Sequence, residues 1–205
     1  MSKISHLLPL AAAVACLRAP AQGTFVYDQQ SSTDETPVGY GLGAQMDQIL
    51  LPWGQSFTPA LAAIAFVRLN FTDANVQDSL GATVYVNLHS ASLNGPILAA
   101  TAPITMGNAF AGVTNFFFAA PVAITPGTTY FLEPVQASGG PFGIVGGQYN
   151  YPGGEYFQGG VPTPALDLWF REGIVPEPSS LCLVLIGSAI LVHTRLRGAR
   201  ASVLN

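Results

Sequence analysis

The middle of the chain is built from short stretches that alternate between apolar and polar residues and are separated by glycine and proline. The stretch TVYVNLH at residues 83–89 shows this pattern, with the valines and the leucine at every second position. Because successive side chains of a β-strand point to opposite faces, the spacing predicts a strand with one buried face. Pairs such as Pro126-Gly127 suit the tight turns between strands.

Ten segments carry this signal. They are residues 24–28, 55–58, 64–71, 83–89, 97–105, 113–118, 129–135, 142–145, 155–158 and 166–171. Glycine contributes 22 and proline 16 of the 205 residues, whereas only 9% are charged, which leaves too few Lys, Arg and Glu for surface helices. The sequence therefore predicts an all-β protein with a single β-sandwich.

Positive charges lie almost entirely at the two ends of the chain. Between residues 22 and 175 only Arg68 and Arg171 are basic, and they stand against ten carboxylates. This acidic middle part would repel the phosphate backbone of a nucleic acid. We expect no nucleic-acid partner.

The first residues have the organisation of a secretory signal. A short basic start is followed by an apolar stretch and then by Ala19-Pro20-Ala21, which places small residues at the two positions that signal peptidase recognises. The sequence predicts a signal peptide over residues 1–21, cleaved before Gln22. A buried amphipathic helix is the alternative, but the alanine-rich run has no polar face.

Cysteine usage bears on both ends of the chain. Cys16 falls in the predicted signal and Cys182 near the carboxyl end, so the predicted body of residues 22–174 can form neither a disulfide nor a thiolate metal site. Residues 13–16, AVAC, loosely match a lipoprotein cleavage box. That alternative would make Cys16 a lipidated first residue.

The carboxyl end carries an uncharged apolar run, residues 181–192, followed by Arg195, Arg197 and Arg200. The run is shorter than the ~20 residues that cross a bilayer core, but polar residues at both ends lengthen the span. Arginines after such a span stay on the cytoplasmic side. We expect a membrane helix here, with the body on the outer side of the membrane.

Residues 175–205 resemble the PEP-CTERM sorting signal of Gram-negative bacteria, in which a Pro-Glu-Pro motif precedes an apolar span and an arginine cluster. The motif is matched by Val175, Pro176, Glu177 and Pro178. The resemblance implies recognition by an exosortase, a transpeptidase-like membrane protease that removes the tail and passes the protein to the cell surface or matrix. Residues 201–205 extend beyond the pattern, and an ordinary single-span anchor is the alternative.

The body also resembles the jelly-roll modules that exported bacterial proteins often carry. The similar segments are GQSFTPAL, LGATVYVNLHSASLNGPILA, FFFAAPVAITPGTTYFLEP, YPGGEYFQGG and DLWFR, and together they span roughly residues 55–171. The resemblance implies a jelly-roll-like β-sandwich related in shape to carbohydrate-binding domains. It brings no catalytic residues, and shape alone confers no activity.

Few residues of the body suggest catalysis. Glu133 and Asp167 fall on predicted strands and would be the two carboxylates of a glycosidase, but no paired motif marks them, and solvent-facing strand positions explain them more simply. His89 is the histidine on which a serine triad would depend. No Gly-x-Ser-x-Gly elbow accompanies it, and its place on the polar face of a strand predicts a surface imidazole.

A cluster of oxygen-bearing side chains follows one predicted strand in the segment FTDANVQDS. Asp73, Asn75 and Asp78 would suit calcium, but the glycine and the distal glutamate of a helix-loop-helix calcium site are missing. Asx turns that satisfy the local backbone are the alternative. No cofactor is expected.

Late aromatic residues are the main indication of a ligand. Tyr149, Tyr151, Tyr156 and Trp169 occur near glycines that expose backbone, and sugar rings stack on exposed aromatic faces. Core packing explains many such rings equally well. Because Trp169 and Phe170 are adjacent on a predicted strand, only one of them is expected in the core.

These features predict a non-enzymatic exported protein, anchored transiently in the inner membrane and then sorted to the cell surface or matrix. Its expected role is structural or adhesive, with exopolysaccharide as the ligand. Signal peptidase and an exosortase-like protease are the expected processing partners. A small surface glycoside hydrolase that uses carboxylates of the sandwich is the alternative.

Overall fold

The computed structural model describes residues 24–36, 43–46 and 52–176, of which Phe25–Ile174 belong to one compact unit. The described part of the chain holds no helix of the length and apolar character that a bilayer crossing requires. Its strands are β1 (Val26–Gln30), β2 (Gly43–Gln45), β3 (Gly54–Phe57), β4 (Ala63–Asp73), β5 (Ala82–Ser90), β6 (Ile97–Ala100), β7 (Ile104–Met106), β8 (Ala111–Ala123), β9 (Tyr130–Gly139), β10 (Phe142–Gly147), β11 (Tyr156–Gln158), β12 (Val161–Thr163), β13 (Asp167–Leu168) and β14 (Phe170–Ile174).

The strands form two antiparallel sheets, which confirms the predicted all-β class. Sheet A has the order β1-β14-β4-β10-β13, with β2 also paired to β10 and β8 to β4. Sheet B has the order β12-β11-β3-β9-β5-β6, with β7 also paired to β5. Apolar side chains from both sheets form one core cluster, so the architecture is a β-sandwich.

The alternation in β5 shows how the sequence produces this core. Val84, Val86 and Leu88 are fully buried in the core cluster, whereas Thr83 and Tyr85, on the opposite face of the strand, are only partly buried. Full burial of an aliphatic side chain of this size contributes about 1.5–3 kcal/mol. The same alternation on β9 faces β5 in register, because Leu88 pairs with Leu132.

The segment predicted as one strand over residues 97–105 is two strands. Pro103 lacks an amide hydrogen and ends the ladder between them. Both strands pair with β5, β6 opposite Asn87 and β7 opposite Ala82. Between them, Thr101 forms a bridge with Phe118 of β8, which joins the two sheets on this side of the sandwich.

The segment predicted over residues 166–171 is also divided, into β13 and β14. Both belong to sheet A, but β13 pairs with β10 whereas β14 pairs with β4 and β1. The amide of Trp169, between them, donates to the carbonyl of Val145. This change of partner strand between β13 and β14 places β13 at the end of sheet A, across from β11 of sheet B.

Candidate functional site: a cleft between the sheets

A cleft of about 470 Å³ lies where β10 and β13 of sheet A approach β11 of sheet B. This volume is in the range of sites that hold small organic ligands. The residues that line it are Ile144, Gly146, Gly147, Gln148, Tyr156, Gln158, Leu166, Asp167 and Leu168. The cleft combines apolar side chains, backbone and amide groups.

Two glycines of β10 expose backbone to the cleft. Gly146 and Gly147 pair with Leu168 and Asp167 of β13 and are only partly buried. A Cβ atom at residue 146 would lie 3.1 Å from the carbonyl oxygen of Asp167, which is closer than ordinary contact. The two strands therefore approach closely here, and the glycines place no side chains of their own over the peptide groups.

The amide side chains of Gln148 and Gln158 supply the polar groups of the cleft. Gln148 is exposed and Gln158 is partly buried, so neither is needed to fill the core. Each amide can both donate and accept hydrogen bonds, which suits a ligand rich in hydroxyl groups. Sequence reasoning missed both residues, although each adjoins a Gly-Gly pair, which is the local signal that was available.

Asp167 is 3% exposed, so the prediction that it occupies a solvent-facing position is wrong. Its Oδ1 accepts a hydrogen bond from Gln55 Nε2 at 3.1 Å, and its Oδ2 accepts one from the amide of Tyr151 at 3.0 Å. Gln55 Oε1 in turn accepts from the amide of Leu168 at 2.8 Å. The network holds β13 against sheet B and fixes one wall of the cleft.

Of the four predicted aromatic residues, Tyr156 lines the cleft and Tyr149 adjoins it. A Cβ atom built at Gly147 would lie 3.4 Å from the ring of Tyr149. Tyr156 is 6% exposed and packs against Trp53, with the ring centroids 5.8 Å apart. Its hydroxyl has no hydrogen-bond partner among the described residues, and burial raises its pKa well above the usual value.

Tyr151 and Trp169 are buried away from the cleft. Tyr151 packs edge-on against Phe170 at 5.1 Å and donates its hydroxyl to Gln29 Oε1 at 2.9 Å. Trp169 is 1% exposed, and its Nε1 donates to the carbonyl of Asp34 at 2.6 Å. Only Phe170 belongs to the core cluster between the sheets, as expected for adjacent strand residues, whereas Trp169 is buried on the other face against the segment that contains Asp34.

The prediction of a surface imidazole at His89 is also wrong, since His89 is 4% exposed. Its Nδ1 lies 3.0 Å from the carbonyl oxygen of Gly95, and its Nε2 lies 2.8 Å from Glu133 Oε2. A carbonyl only accepts, so Nδ1 carries a proton. Asn87 Nδ2 donates to the same oxygen of Glu133 at 2.8 Å. His89 thus ties the β5–β6 loop to the sheet.

Glu133 and Asp167 do not face each other. Leu132 pairs with Gln55 and belongs to the core, so Glu133, the next residue, points to the outer face of sheet B. Asp167 bonds to Gln55 in the interior between the sheets. The two carboxylates predicted as a glycosidase pair therefore lie on opposite sides of sheet B.

The side chains of Asp73, Asn75 and Asp78 form local turns. Asp73 Oδ1 accepts from the amide of Asn75 at 2.8 Å, and Asp78 Oδ1 accepts from the amide of Leu80 at 2.7 Å. Asp73 Oδ2 also accepts from the amide of Ala109 at 2.7 Å. These are the Asx turns of the alternative interpretation. Within the described ranges, no group of three or more His, Cys, Asp or Glu could hold a metal ion.

Most residues predicted to direct processing lie outside the described residues. Val175 and Pro176, at the start of the sorting motif, directly follow β14, and Pro176 is exposed. The remaining predicted positions fall beyond the described ranges: Cys16, Ala19, Ala21, Gln22, Glu177, Pro178, Arg195, Arg197 and Arg200.

No protein-family model matches the chain, and no curated protein is significantly similar to it in sequence.

Proposed function

We propose that this chain is an exported protein of the cell surface or extracellular matrix, with a structural or adhesive role, whose β-sandwich binds exopolysaccharide in the cleft. The observation that carries the binding role is the lining of the cleft, which brings apolar side chains, glycine backbone and two amide side chains together. Sugars present the complementary mixture of apolar ring faces and hydroxyl groups. A jelly-roll-like arrangement of the two antiparallel sheets is part of this proposal, and it would accord with the binding role.

Export and sorting are supported by the sequence of the two ends. The small residues Ala19 and Ala21 fit signal peptidase, and Pro176-Glu177-Pro178 followed by an apolar run and arginines fits an exosortase-like protease. We propose transient anchoring in the inner membrane by the tail, followed by its removal and transfer of the body to the surface.

The geometry does not favour the alternative hydrolase. Both oxygens of Asp167 accept hydrogen bonds from buried donors, and Glu133 Oε2 accepts from His89 and Asn87. Carboxylates that act as general acid and nucleophile must face the same glycosidic bond about 5–10 Å apart. Asp167 and Glu133 instead serve as structural acceptors on different faces of sheet B.

Ligand binding in the cleft is tested by removing its two amide side chains. The double variant Gln148→Ala/Gln158→Ala should lose about tenfold or more in affinity for a neutral polysaccharide bound by the wild type, because two ligand hydrogen bonds are lost. The probes are dextran, xylan and cellulose oligosaccharides, measured by calorimetry on the mature protein. Gln77→Ala is the matched control, because Gln77 is exposed and lies outside the cleft.

Absence of binding by the wild type, or unchanged binding by the double variant, would refute binding in the cleft. Release of reducing sugars by the wild type would support the hydrolase instead.

Sorting is tested by replacing Pro176, Glu177 and Pro178 with alanine, which should leave the protein in the membrane with its arginines attached. Mass spectrometry of both mature ends reads the outcome, and normal release of this variant would argue against sorting at the motif.

A further inference from the structure

The two arginines of the described body lie side by side on the outer face of sheet A. Arg68 of β4 pairs with Arg171 of β14, so their side chains leave the sheet on the same face. Like charges on paired strand positions repel each other. The described ranges contain no lysine, so no lysine side chain adds positive charge to this face. A single carboxylate, Glu35, contacts both guanidinium groups.

Neutral groups hold both guanidinium groups in place. Arg68 Nε donates to Asn115 Oδ1 at 2.7 Å, and Arg171 Nε donates to Gln30 Oε1 at 2.9 Å. The ring of Tyr27 lies 3.5 Å from the guanidinium carbon of Arg171 and 5.8 Å from that of Arg68. The orientation of the two arginines is therefore set without Glu35, and their outer nitrogens remain available for an anion.

Glu35 occupies these outer nitrogens. Arg68 donates to both carboxylate oxygens of Glu35, at 2.6 and 2.9 Å, and Arg171 donates to one of the same oxygens at 2.6 Å. Paired, charge-assisted bonds of this kind are the geometry by which arginine recognises carboxylates. The hydrogen bonds from Arg68 lower the pKa of Glu35, which keeps it ionised.

The Glu35 side chain can leave this position without disturbing the fold. It is 41% exposed, whereas the side chains of Arg68 and Arg171 are each 12% exposed. The backbone of the same segment is anchored separately, since Asp34 accepts from Trp169 and Ser31 donates to Phe170. The ion pair is exposed on the Glu35 side, so a carboxylate from solution can reach the two arginines and accept the same charge-assisted hydrogen bonds.

An exposed aromatic surface adjoins the arginines. The ring of Phe25 lies 5.6 Å from the guanidinium carbon of Arg68 and is nearly parallel to the ring of Phe117, with centroids 6.1 Å apart and an angle of 18°. Phe117 is 44% exposed. Sugar rings stack on such faces, so the surface favours a carboxylate carried by a sugar over a carboxylate carried by a peptide.

We propose that Arg68 and Arg171, together with Phe25 and Phe117, form a second ligand site that takes the uronate units of an acidic polysaccharide, and that Glu35 is the internal carboxylate which the ligand displaces. This site is separate from the cleft and does not depend on it. The acidic rest of the body does not prevent binding, because exposed charges are screened beyond about 8 Å at physiological ionic strength.

The test compares two glutamate-to-alanine variants that change the net charge equally. Glu35→Ala vacates the arginines, whereas Glu155→Ala removes an exposed carboxylate without hydrogen bonds to other described side chains. Calorimetric titration with an oligogalacturonate, with dextran as the neutral control, should show Glu35→Ala binding about fivefold more tightly than wild type. Glu155→Ala should remain within about twofold of wild type.

Two further variants identify the site. Glu35→Ala/Arg171→Gln should lose the gain in oligogalacturonate affinity while its melting temperature shows that it is folded. Phe117→Ala alters an exposed ring and should also weaken binding of the oligomer. The cleft variant Gln148→Ala/Gln158→Ala should bind oligogalacturonate as the wild type does, which separates this inference from the proposed function.

Equal affinities of Glu35→Ala and Glu155→Ala would overturn the inference. So would oligogalacturonate binding that persists in both Glu35→Ala/Arg171→Gln and Phe117→Ala, or that is abolished by the cleft variant. Self-association of Glu35→Ala in sedimentation experiments, without oligogalacturonate binding, would show that the arginines instead take a carboxylate from a second copy.

Discussion

The side chains of Gln55 and Asp167, 112 residues apart in the chain, meet in the interior between the two sheets, where Gln55 Nε2 donates to Asp167 Oδ1 at 3.1 Å. Both residues are almost fully buried. The contact links β3 of sheet B to β13 of sheet A, so a polar bond in the interior fixes the wall of the cleft. A buried polar pair of this kind has a large effect when one partner is removed.

We expect Asp167→Asn to destabilise the protein by about 1–3 kcal/mol, because the amide group of asparagine would face either Gln55 Nε2 or the amide of Tyr151, both of which are donors. Urea unfolding followed by tryptophan fluorescence measures this loss. Asp78→Asn is the control and should cost less than about 0.5 kcal/mol, since Asp78 accepts one bond near the surface through Oδ1, an atom that asparagine keeps. Equal losses would contradict the role of the buried network.

Glu172 makes stability depend on pH. It is fully buried, its Oε2 has no partner among the described residues, and burial raises its pKa from 4.5 to about 8, with the charge of Asp28 adding to the effect. The folded protein therefore keeps a proton that the unfolded chain releases above about pH 4.5. The contribution of Glu172 to stability falls as pH rises from about 4.5 to 8 and is constant above that range.

Glu172→Gln removes this ionisation. The variant should match the wild type near pH 4.5 and exceed it in unfolding free energy by about 1–3 kcal/mol at pH 9, because the neutral amide carries no cost of burying a charge. Thermal unfolding across this pH range checks the prediction. Glu155→Gln, which removes an exposed carboxyl, is the control and should not show this gain at pH 9. A curve for Glu172→Gln that runs parallel to that of the wild type would contradict a buried carboxyl that keeps its proton above pH 4.5.

Gly54 leaves room for the β5–β6 loop on the outer face of sheet B. A Cβ atom at this position would collide with Leu93 and lie 2.5 Å from the carbonyl oxygen of Leu132. Gly54→Ala should therefore cost about 1–3 kcal/mol, measured by chemical denaturation. Adding Leu93→Ala should not restore stability, since the backbone clash remains. Gly107→Ala, where a Cβ atom meets nothing within 4 Å, is the control and should be near neutral.

His89→Ala should release the same loop. The substitution removes the contacts of the ring with Gly95 and Glu133, which are both buried or partly buried, so we expect a loss of about 2–3 kcal/mol. Hydrogen exchange of residues 91–96 should become faster. Thr105→Ala removes one exposed hydroxyl contact with Thr83 in the same sheet and should leave exchange in the loop unchanged. Unchanged hydrogen exchange of residues 91–96 in His89→Ala would contradict the inference that His89 holds this loop against the sheet.

The segments that become strands could be predicted from local pattern. Each of the ten predicted segments overlaps a strand, because alternation and turn residues act over a few neighbours. The two divided segments needed more than alternation. Pro103 marks in the sequence a point where the ladder must end. The division at Trp169 depends instead on strand pairing within sheet A, since β13 pairs with β10 and β14 pairs with β4.

The candidate site was predictable only in part. Tyr156 was identified as an aromatic residue beside glycines, but Gln148 and Gln158 come together only because β10 and β11 belong to sheets that face each other. Burial was the main source of error. The alternation assigns Asp167 and His89 to solvent-facing positions, yet both are buried. Asp167 is buried against Gln55, which is distant in the sequence, and His89 is buried against the β5–β6 loop.

By itself the sequence determined the all-β class, the positions of most strands and the acidic character of the body, because these depend on residue type and on spacing between near neighbours. It did not identify the short strands β2 and β12. The tertiary structure decided which polar residues are buried, where the cleft lies and why Arg68 and Arg171 meet at Glu35. Those features depend on strand pairing and on segments that cover the outer faces of the sheets. Contacts between residues more than a hundred positions apart leave no periodic trace in a single sequence.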